Sequence, residues 1–198
     1  MCYIKLCGLS RIEDIEYANE LKPEYIGFVF WDKSKRFVSR EKARELKNLL
    51  NKDIKAVGVF VDEECEIVGD LLNEGIIDLA QLHGKEDEDY IKKLRAIANA
   101  PVIKAFKIKS EDDVNRANDS KADYVLLDSG MGGGRVFDWD LLKNIKRDYF
   151  LAGGLNPENV KEAVEKCRPY AVDVSSGIET DGVKDYSKMK TFVEKIRN

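Results

Sequence analysis

The 198-residue chain lacks most of the features that mark secreted, metal-binding and membrane proteins. Its four cysteines include no CxxC pair, which favours a reduced, cytoplasmic protein over a disulfide-linked secreted one. A single histidine, His83, and the absence of HxH or HExxH motifs leave no recognisable zinc site. No apolar run approaches the roughly 20 residues of a membrane span, and the first residues lack the pattern of a signal peptide. We therefore expect a cytoplasmic protein with no metal and no membrane partner.

The charge balance is equally informative. Lys and Arg number 33 against 37 Asp and Glu, which gives a net charge of −4 and no basic footprint for nucleic acid. Hydrophobic residues make up 43% of the chain, which excludes intrinsic disorder. No linker or shift in composition divides the sequence, so we expect one domain over residues 1–198.

Eight short apolar runs, rich in Val, Ile and aromatic residues, alternate with charged segments of helical period. The runs lie at residues 3–7, 25–30, 55–60, 77–82, 101–106, 123–128, 150–153 and 170–175. Repeated strand–helix units indicate an α/β protein with a parallel sheet. Eight units in so short a chain predict a single (β/α)8 TIM barrel with short loops and lean helices. An open, doubly wound sheet is the alternative.

Two helix starts are marked by side chains that can cap free backbone N–H groups. Ser10 and Glu13 have the spacing of a capping box. Asn156 followed by Pro157 predicts a cap and a first helical residue.

Polar residues and glycines gather directly after the predicted strands, where a parallel barrel places its chemistry. Gly153 and Gly154 follow the seventh strand, and Ser175, Ser176 and Gly177 follow the eighth. Bare backbone N–H groups in such loops bind phosphate, although each glycine alone could simply make a turn. Two such loops side by side favour a phosphate site. The glycine run at 130–134 predicts either a loop over a ligand or a plain surface loop.

Cys7 and Asp128 both end predicted strands. By alternation along a strand, Cys7 shares a face with Lys5, and Asp128 shares one with Leu126. If these faces line the barrel, a thiol and a carboxyl meet at one mouth and can move a proton next to a carbonyl. Lys5 would lower the pKa of Cys7, and apolar surroundings would raise that of Asp128. An inert, buried cysteine is the simpler alternative.

Arg36 ends a cationic stretch with Lys33 and Lys35 after the second strand. A guanidinium above the mouth could hold a substrate carboxylate through two hydrogen bonds, whereas a solvated charge run is the simpler interpretation. His83 could either orient a ligand or bond to a neighbouring loop.

Together these motifs resemble the phosphoribosylanthranilate isomerase family, a group of barrel enzymes of tryptophan biosynthesis. The similar segments are KLCGL (5–9), GFVF (27–30), SKRFVS (34–39), GVFV (58–61), QLHG (81–84), LLDS (126–129), GGGRVFDW (132–139), AGGLNPENV (152–160) and VDVSSGIE (172–179). Single pieces such as AGGL also occur in related phosphate-binding barrels. The order and spacing of the whole set carry the resemblance.

The resemblance implies an Amadori rearrangement of N-(5-phosphoribosyl)anthranilate to 1-(2-carboxyphenylamino)-1-deoxyribulose 5-phosphate, without cofactor or metal. It implies that Asp128 is the general acid, Cys7 the general base and Arg36 the holder of the anthranilate carboxylate. His83 and Asp173 fall in motifs near the site and are expected to bind substrate. The partner is then a small molecule that carries a phosphate and a carboxylate, and the protein is expected to be a monomer or a homodimer.

One departure from the family pattern concerns the glycine-rich loop. The loop often reads GGTG or GGSG in the family, and here residues 132–134 are all glycine. The missing hydroxyl puts one hydrogen bond between loop and ligand in doubt.

Three other functions are the alternatives to this one. A phosphate-binding barrel such as indole-3-glycerol-phosphate synthase would need a catalytic lysine, for which Lys104 is the interior candidate besides Lys5. A dual-substrate isomerase that also acts in histidine biosynthesis would need a pair of aspartates, and the thiol of Cys7 argues against it. A barrel kept only as a binding scaffold would not need Cys7, Asp128 and Arg36 together.

Overall fold

The structure is a computed structural model that describes residues 2–128 and 139–198. Its strands are β1 Tyr3–Cys7, β2 Tyr25–Val29, β3 Lys55–Phe60, β4 Leu79–Leu82, β5 Val102–Lys107, β6 Tyr124–Asp128, β7 Tyr149–Ala152, β8 Ala171–Val174, β9 Glu179–Thr180 and β10 Val183–Lys184. Its α-helices are α1 Ile12–Leu21, α2 Arg40–Leu49, α3 Cys65–Asn73, α4 Glu88–Ile97, α5 Glu111–Asp119, α6 Val160–Cys167 and α7 Tyr186–Arg197. Short 3-10 helices cover Trp139–Asn144 and Ser176–Ile178.

Strands β1 to β8 pair in chain order and close into a parallel barrel. The closing pair is β1 with β8, where Lys5 lies opposite Asp173. Each predicted strand boundary falls within two residues of the observed one. The predicted (β/α)8 barrel is therefore confirmed, and the open sheet is excluded because the pairing of β8 with β1 closes the ring and leaves no edge strand among β1 to β8.

Burial on both faces explains why the strands read as nearly continuous apolar runs. One buried cluster fills the barrel interior and includes Val57, Leu79, Ile103, Leu126 and Phe150. Alternate residues of the same strands point outward and pack against the helices in a second, larger cluster. Because apolar side chains fill the barrel interior, a polar site can form only at an end of the barrel.

Helix starts follow capping chemistry, with one correction. The side chains of Ser39, Asp87 and Asp185 accept hydrogen bonds from backbone N–H groups at the starts of α2, α4 and α7. The predicted pairing of Ser10 with Glu13 is wrong. Helix α1 begins at Ile12, and the buried carboxylate of Asp14 instead accepts from the N–H groups of Ser10 and Arg11, at 2.9 and 3.1 Å.

The side chain of Asn156 caps the turn that leads into α6, but the prediction that Pro157 is the first helical residue is wrong. The Oδ1 atom of Asn156 accepts from the backbone N–H groups of Glu158 and Asn159, at 2.9 and 3.0 Å. Residues 157–159 form a turn, and the α-helix itself begins at Val160. The cap thus fixes the point where the loop after β7 enters the helix.

The short hairpin of β9 and β10 follows β8 and returns the chain toward the barrel mouth. Val183 pairs with Thr180, and Lys184 pairs with Glu179, so the latter two side chains lie beside the loop after β8. Among the described residues, no helix is both long and apolar enough to cross a membrane.

Candidate active site

A cavity of about 1150 Å³ opens at the carboxyl ends of the barrel strands. All ten predicted site residues line it: Cys7, Arg36, His83, Asp128, Gly153, Gly154, Asp173, Ser175, Ser176 and Gly177. The glycine run at 130–134 lies outside the described residues, which resume at Trp139. The barrel therefore gathers side chains from β1, β6 and β8 and from the loops after β2, β4, β7 and β8.

Cys7 ends β1 with its thiol toward the cavity and only 7% of the residue exposed. The neighbouring position on β2 is Gly27, where an added Cβ would lie 2.6 Å from Sγ of Cys7. A side chain on Gly27 would therefore collide with the thiol, and the glycine is required by this close approach. The pKa of Cys7 lies above its usual value because burial raises it by more than the ammonium of Lys5 lowers it.

Asp128 ends β6 and faces the same cavity. The Nε2 atom of His83 lies 3.4 Å from Oδ2 of Asp128, and the Nδ1 atom of His83 lies 3.0 Å from Nε2 of Gln81. An amide nitrogen can only donate, so Nδ1 of His83 accepts from Gln81, and Nε2 faces the carboxyl of Asp128. This arrangement fixes His83 against Asp128 and makes Gln81 its support.

Arg36 leans into the cavity, whereas its neighbours Lys33 and Lys35 are exposed. Its guanidinium forms a bidentate pair with Glu179, with Nε–Oε1 and Nη2–Oε2 distances of 2.6 and 2.7 Å. Glu179 also accepts from Lys184 at 2.6 Å. The pair raises the pKa of Arg36, and both cations hold the pKa of Glu179 below its usual value although burial opposes this.

The sequence did not predict that Glu179 and Lys184 contribute to the site. Glu179 stands at the end of the motif VDVSSGIE, but nothing in the sequence pairs it with a residue 143 positions earlier. Lys184 is buried and also donates to the carbonyl oxygen of Ser175 at 2.9 Å. The hairpin thus stabilises both the loop after β8 and the orientation of Arg36.

Two loops shape the end of the cavity near β7 and β8. Gly153 and Gly154 have φ values of 91° and 69°, a region that favours glycine. Asn159 supports their loop, since its Nδ2 donates to the carbonyl oxygen of Gly154 at 2.9 Å. A Cβ added to Gly177 would lie 2.0 Å from the carbonyl oxygen of Leu155, so the two loops touch at this point.

Asp173 and Lys104 each form an ion pair with another residue of the protein. Asp173 lines the cavity, but its Oδ1 accepts from Lys5 at 2.9 Å inside the barrel. The prediction that Lys104 faces the interior is wrong, because its neighbours Ile103 and Ala105 do so instead. Lys104 pairs with Glu86 at 2.8 Å on the outer side of the strand.

The closed parallel barrel and the polar cavity at its carboxyl end define the class of (β/α)8-barrel enzymes. Within that class, the family model described as N-(5'-phosphoribosyl)anthranilate (PRA) isomerase matches residues 4–195. The chain belongs to this family, and it is therefore an isomerase of tryptophan biosynthesis.

Two relatives illustrate how far the similarity extends. An N-(5'-phosphoribosyl)anthranilate isomerase from Thermoanaerobacter sp. (strain X514) is 47% identical, over 100% of this chain and 98% of its own. The isomerase of Endomicrobium trichonymphae is 45% identical, over 98% of each chain.

Solved structures of the family agree in fold. A phosphoribosyl anthranilate isomerase in complex with reduced 1-(o-carboxyphenylamino)-1-deoxyribulose 5-phosphate has a TM-score of 0.88 at 37% identity, over 100% of this chain and 99% of its own. Another structure, with a TM-score of 0.88 at 38% identity and the same coverage, is described as monomers generated from the dimeric enzyme of Thermotoga maritima.

Proposed function

We propose that Asp128 and Cys7 carry the proton transfers by which this chain isomerises N-(5-phosphoribosyl)anthranilate. Asp128 gives its proton to the ribose ring oxygen, the bond from that oxygen to C1 breaks, and a Schiff base forms between C1 and the anthranilate nitrogen. The thiolate of Cys7 then removes the proton on C2. The electrons of that C–H bond form a C1–C2 double bond and neutralise the nitrogen, and the resulting enol-amine tautomerises to the ketone.

The observation that carries this proposal is that a thiol on β1 and a carboxyl on β6 line one cavity. The two groups come from different strands of the ring, so that a sugar between them can meet an acid and a base. His83, at 3.4 Å from Asp128, orients the carboxyl. Asp173, which lines the same cavity, is proposed to bind the substrate.

The two ends of the cavity suit the two ends of the substrate. The loops at Gly153–Gly154 and at Ser175–Gly177 present backbone N–H groups, which bind phosphate at the first turn of a helical segment. Arg36 comes from the loop after β2, and β1 with Cys7 lies between β2 and β8. A substrate with its phosphate at the loops and its carboxylate at Arg36 therefore passes over Cys7.

The direct test is to add the purified chain to N-(5-phosphoribosyl)anthranilate and to follow the loss of substrate fluorescence. The expected result is conversion to 1-(2-carboxyphenylamino)-1-deoxyribulose 5-phosphate in buffer containing a metal chelator and no cofactor. Substrate that decays no faster than in buffer alone contradicts the proposal.

Arg36→Met is expected to raise KM by about 30-fold, which corresponds to about 2 kcal/mol of lost charge-assisted hydrogen bonding. Methionine keeps the apolar stem, and Glu179 keeps its ion pair with Lys184 after it loses Arg36. Any effect of the lost Arg36–Glu179 pair should weaken both substrates equally, so the loss specific to the carboxylate is the difference between them. The measurement is steady-state kinetics with the natural substrate and with the analogue made from aniline, which lacks the carboxylate.

Lys35→Met is the matched control, because it removes the same charge from an exposed neighbour. It should leave KM within about twofold. An Arg36→Met variant that loses equal affinity for both substrates would show that Arg36 does not bind the carboxylate.

We further propose that residues 1–198 act as one barrel domain in the cytoplasm, as a monomer or a homodimer. In residues 2–128 and 139–198, the closed barrel of β1 to β8 is accompanied only by the two-stranded sheet of β9 and β10, which supports the single domain. The dimeric relative described above supports the choice of oligomeric states. Light scattering on the purified chain distinguishes the two states.

A further inference from the structure

Lys5 is a fully buried cation within the barrel, and the reaction as described above makes no use of it. Its side chain has 0% exposure, which costs several kcal/mol unless the charge is compensated. It lies two residues before Cys7 on β1, and both side chains point to the interior. Lys5 is therefore the neighbour of Cys7 on the interior face of β1.

The contacts of Lys5 join two strands at the closure of the barrel. Nζ of Lys5 donates to Oδ1 of Asp173 at 2.9 Å, and the two residues lie opposite each other in the pairing of β1 with β8. Lys5 and Cys7 lie two residues apart on the same interior face of β1, so the ammonium acts on the thiol electrostatically. A cation beside a thiol favours the thiolate, which carries the opposite charge.

Charged groups from each neighbouring element act on Cys7. Lys5 on β1 and Lys184 on β10 lower its pKa, and Asp173 on β8 raises it. Arg36, from the loop after β2, interacts with the same thiol. On β2 itself the neighbour is Gly27, which contributes no side chain. Of these cations, Lys5 is the one that is fully buried and lies on the same strand as Cys7.

We propose that Lys5 is a positioning residue that stabilises the thiolate of Cys7, and that Asp173 holds its ammonium in place and moderates its charge. The inference rests on the role of Cys7 under "Proposed function". During the reaction the thiolate takes the C2 proton and becomes a neutral thiol. Lys5 keeps its ion pair with Asp173 throughout and takes no part in the proton transfer itself.

The test is the pH dependence of alkylation of Cys7 by iodoacetamide, measured by peptide mass spectrometry on the whole protein. Only the thiolate reacts, so the midpoint of the profile gives the pKa of the thiol. All variants carry Cys2→Ser, so that the peptide with Cys7 has one thiol. Lys5→Met is expected to move the midpoint up by about 1–2 pH units, and Asp173→Asn to move it down.

Lys104→Met is the matched control, since Lys104 is also buried and ion-paired, at 2.8 Å to Glu86. Its midpoint should equal that of the parent. A merely structural role for Lys5 does not shift two midpoints in opposite directions. Unchanged midpoints, or shifts of the same sign in Lys5→Met and Asp173→Asn, overturn the inference.

Lys5→Met leaves a buried carboxylate without its partner and is the variant most sensitive to misfolding. The double variant Lys5→Met/Asp173→Asn removes both charges and restores neutrality. Its midpoint should lie above that of Asp173→Asn alone, because the cation is absent. Equal midpoints in these two variants overturn the inference.

The alkylation profile is measured without substrate, so it tests the role of Lys5 independently of the isomerase function. The pH profile of kcat for Lys5→Met should shift upward with its alkylation profile. A parent that turns over substrate but shows no difference in alkylation from Lys5→Met overturns only the role of Lys5. Opposite alkylation shifts in a parent without turnover support the role of Lys5 and contradict the proposed function.

Discussion

Cys7→Ser is expected to lower kcat by roughly 10²–10⁴-fold, because a serine hydroxyl does not ionise at neutral pH and cannot remove the C2 proton. Asp128→Asn is expected to lower kcat by a similar factor, because an amide cannot protonate the ring oxygen. Both substitutions are nearly isosteric, so KM should change by only a few-fold. Steady-state kinetics with N-(5-phosphoribosyl)anthranilate measure both effects.

Cys167→Ser is the control for the thiol, since Cys167 is a free, half-buried cysteine that does not line the cavity. It should keep the turnover of the parent. Circular dichroism should show that all the variants remain folded. Near-normal turnover in Cys7→Ser or Asp128→Asn would move the acid–base assignment to other residues.

Gly177→Val is expected to lower kcat/KM by about 10²-fold or more. A Cβ at this position would lie 2.0 Å from the carbonyl oxygen of Leu155, so the loops after β7 and β8 must move apart. Their backbone N–H groups then no longer converge on one phosphate. Steady-state kinetics measure the loss of kcat/KM. Thermal melts with and without inorganic phosphate show whether phosphate binding is lost.

Ser176→Ala is the matched control, because the proposed donors are backbone groups and survive the change. It should stay within a few-fold of the parent, and phosphate should raise the Tm of both proteins. If phosphate raises the Tm of Gly177→Val as much as that of the parent, the phosphate is not bound between these loops.

The strands were predictable because each is buried on both faces and therefore reads as a short apolar run. β4 shows the limit of this signal: the run at 77–82 begins with Ile77, whereas the strand begins at Leu79. Ile77 and Ile76 are buried as well, but they pack in the turn after α3, where apolar sequence does not distinguish turn from strand.

The cavity-lining residues were predictable for a related reason, since the ends of parallel strands meet at one edge. The partners of those residues were not. The bond from Arg36 to Glu179 spans 143 positions, and that from Lys5 to Asp173 spans 168. Such contacts depend on the closure of the ring rather than on local pattern. Lys104 was misplaced because a shift of one residue along β5 reverses the face of each side chain.

The closure between β1 and β8 has a consequence for how the enzyme matures. Cys7 and Arg36 come from the first fifth of the chain, and the glycine loops, Asp173 and Glu179 come from the last quarter. A nascent or refolding chain can form helices and several paired strands while these two groups are still far apart, because contacts between distant residues form late. Catalytic activity during refolding therefore counts only molecules in which both ends of the chain have met.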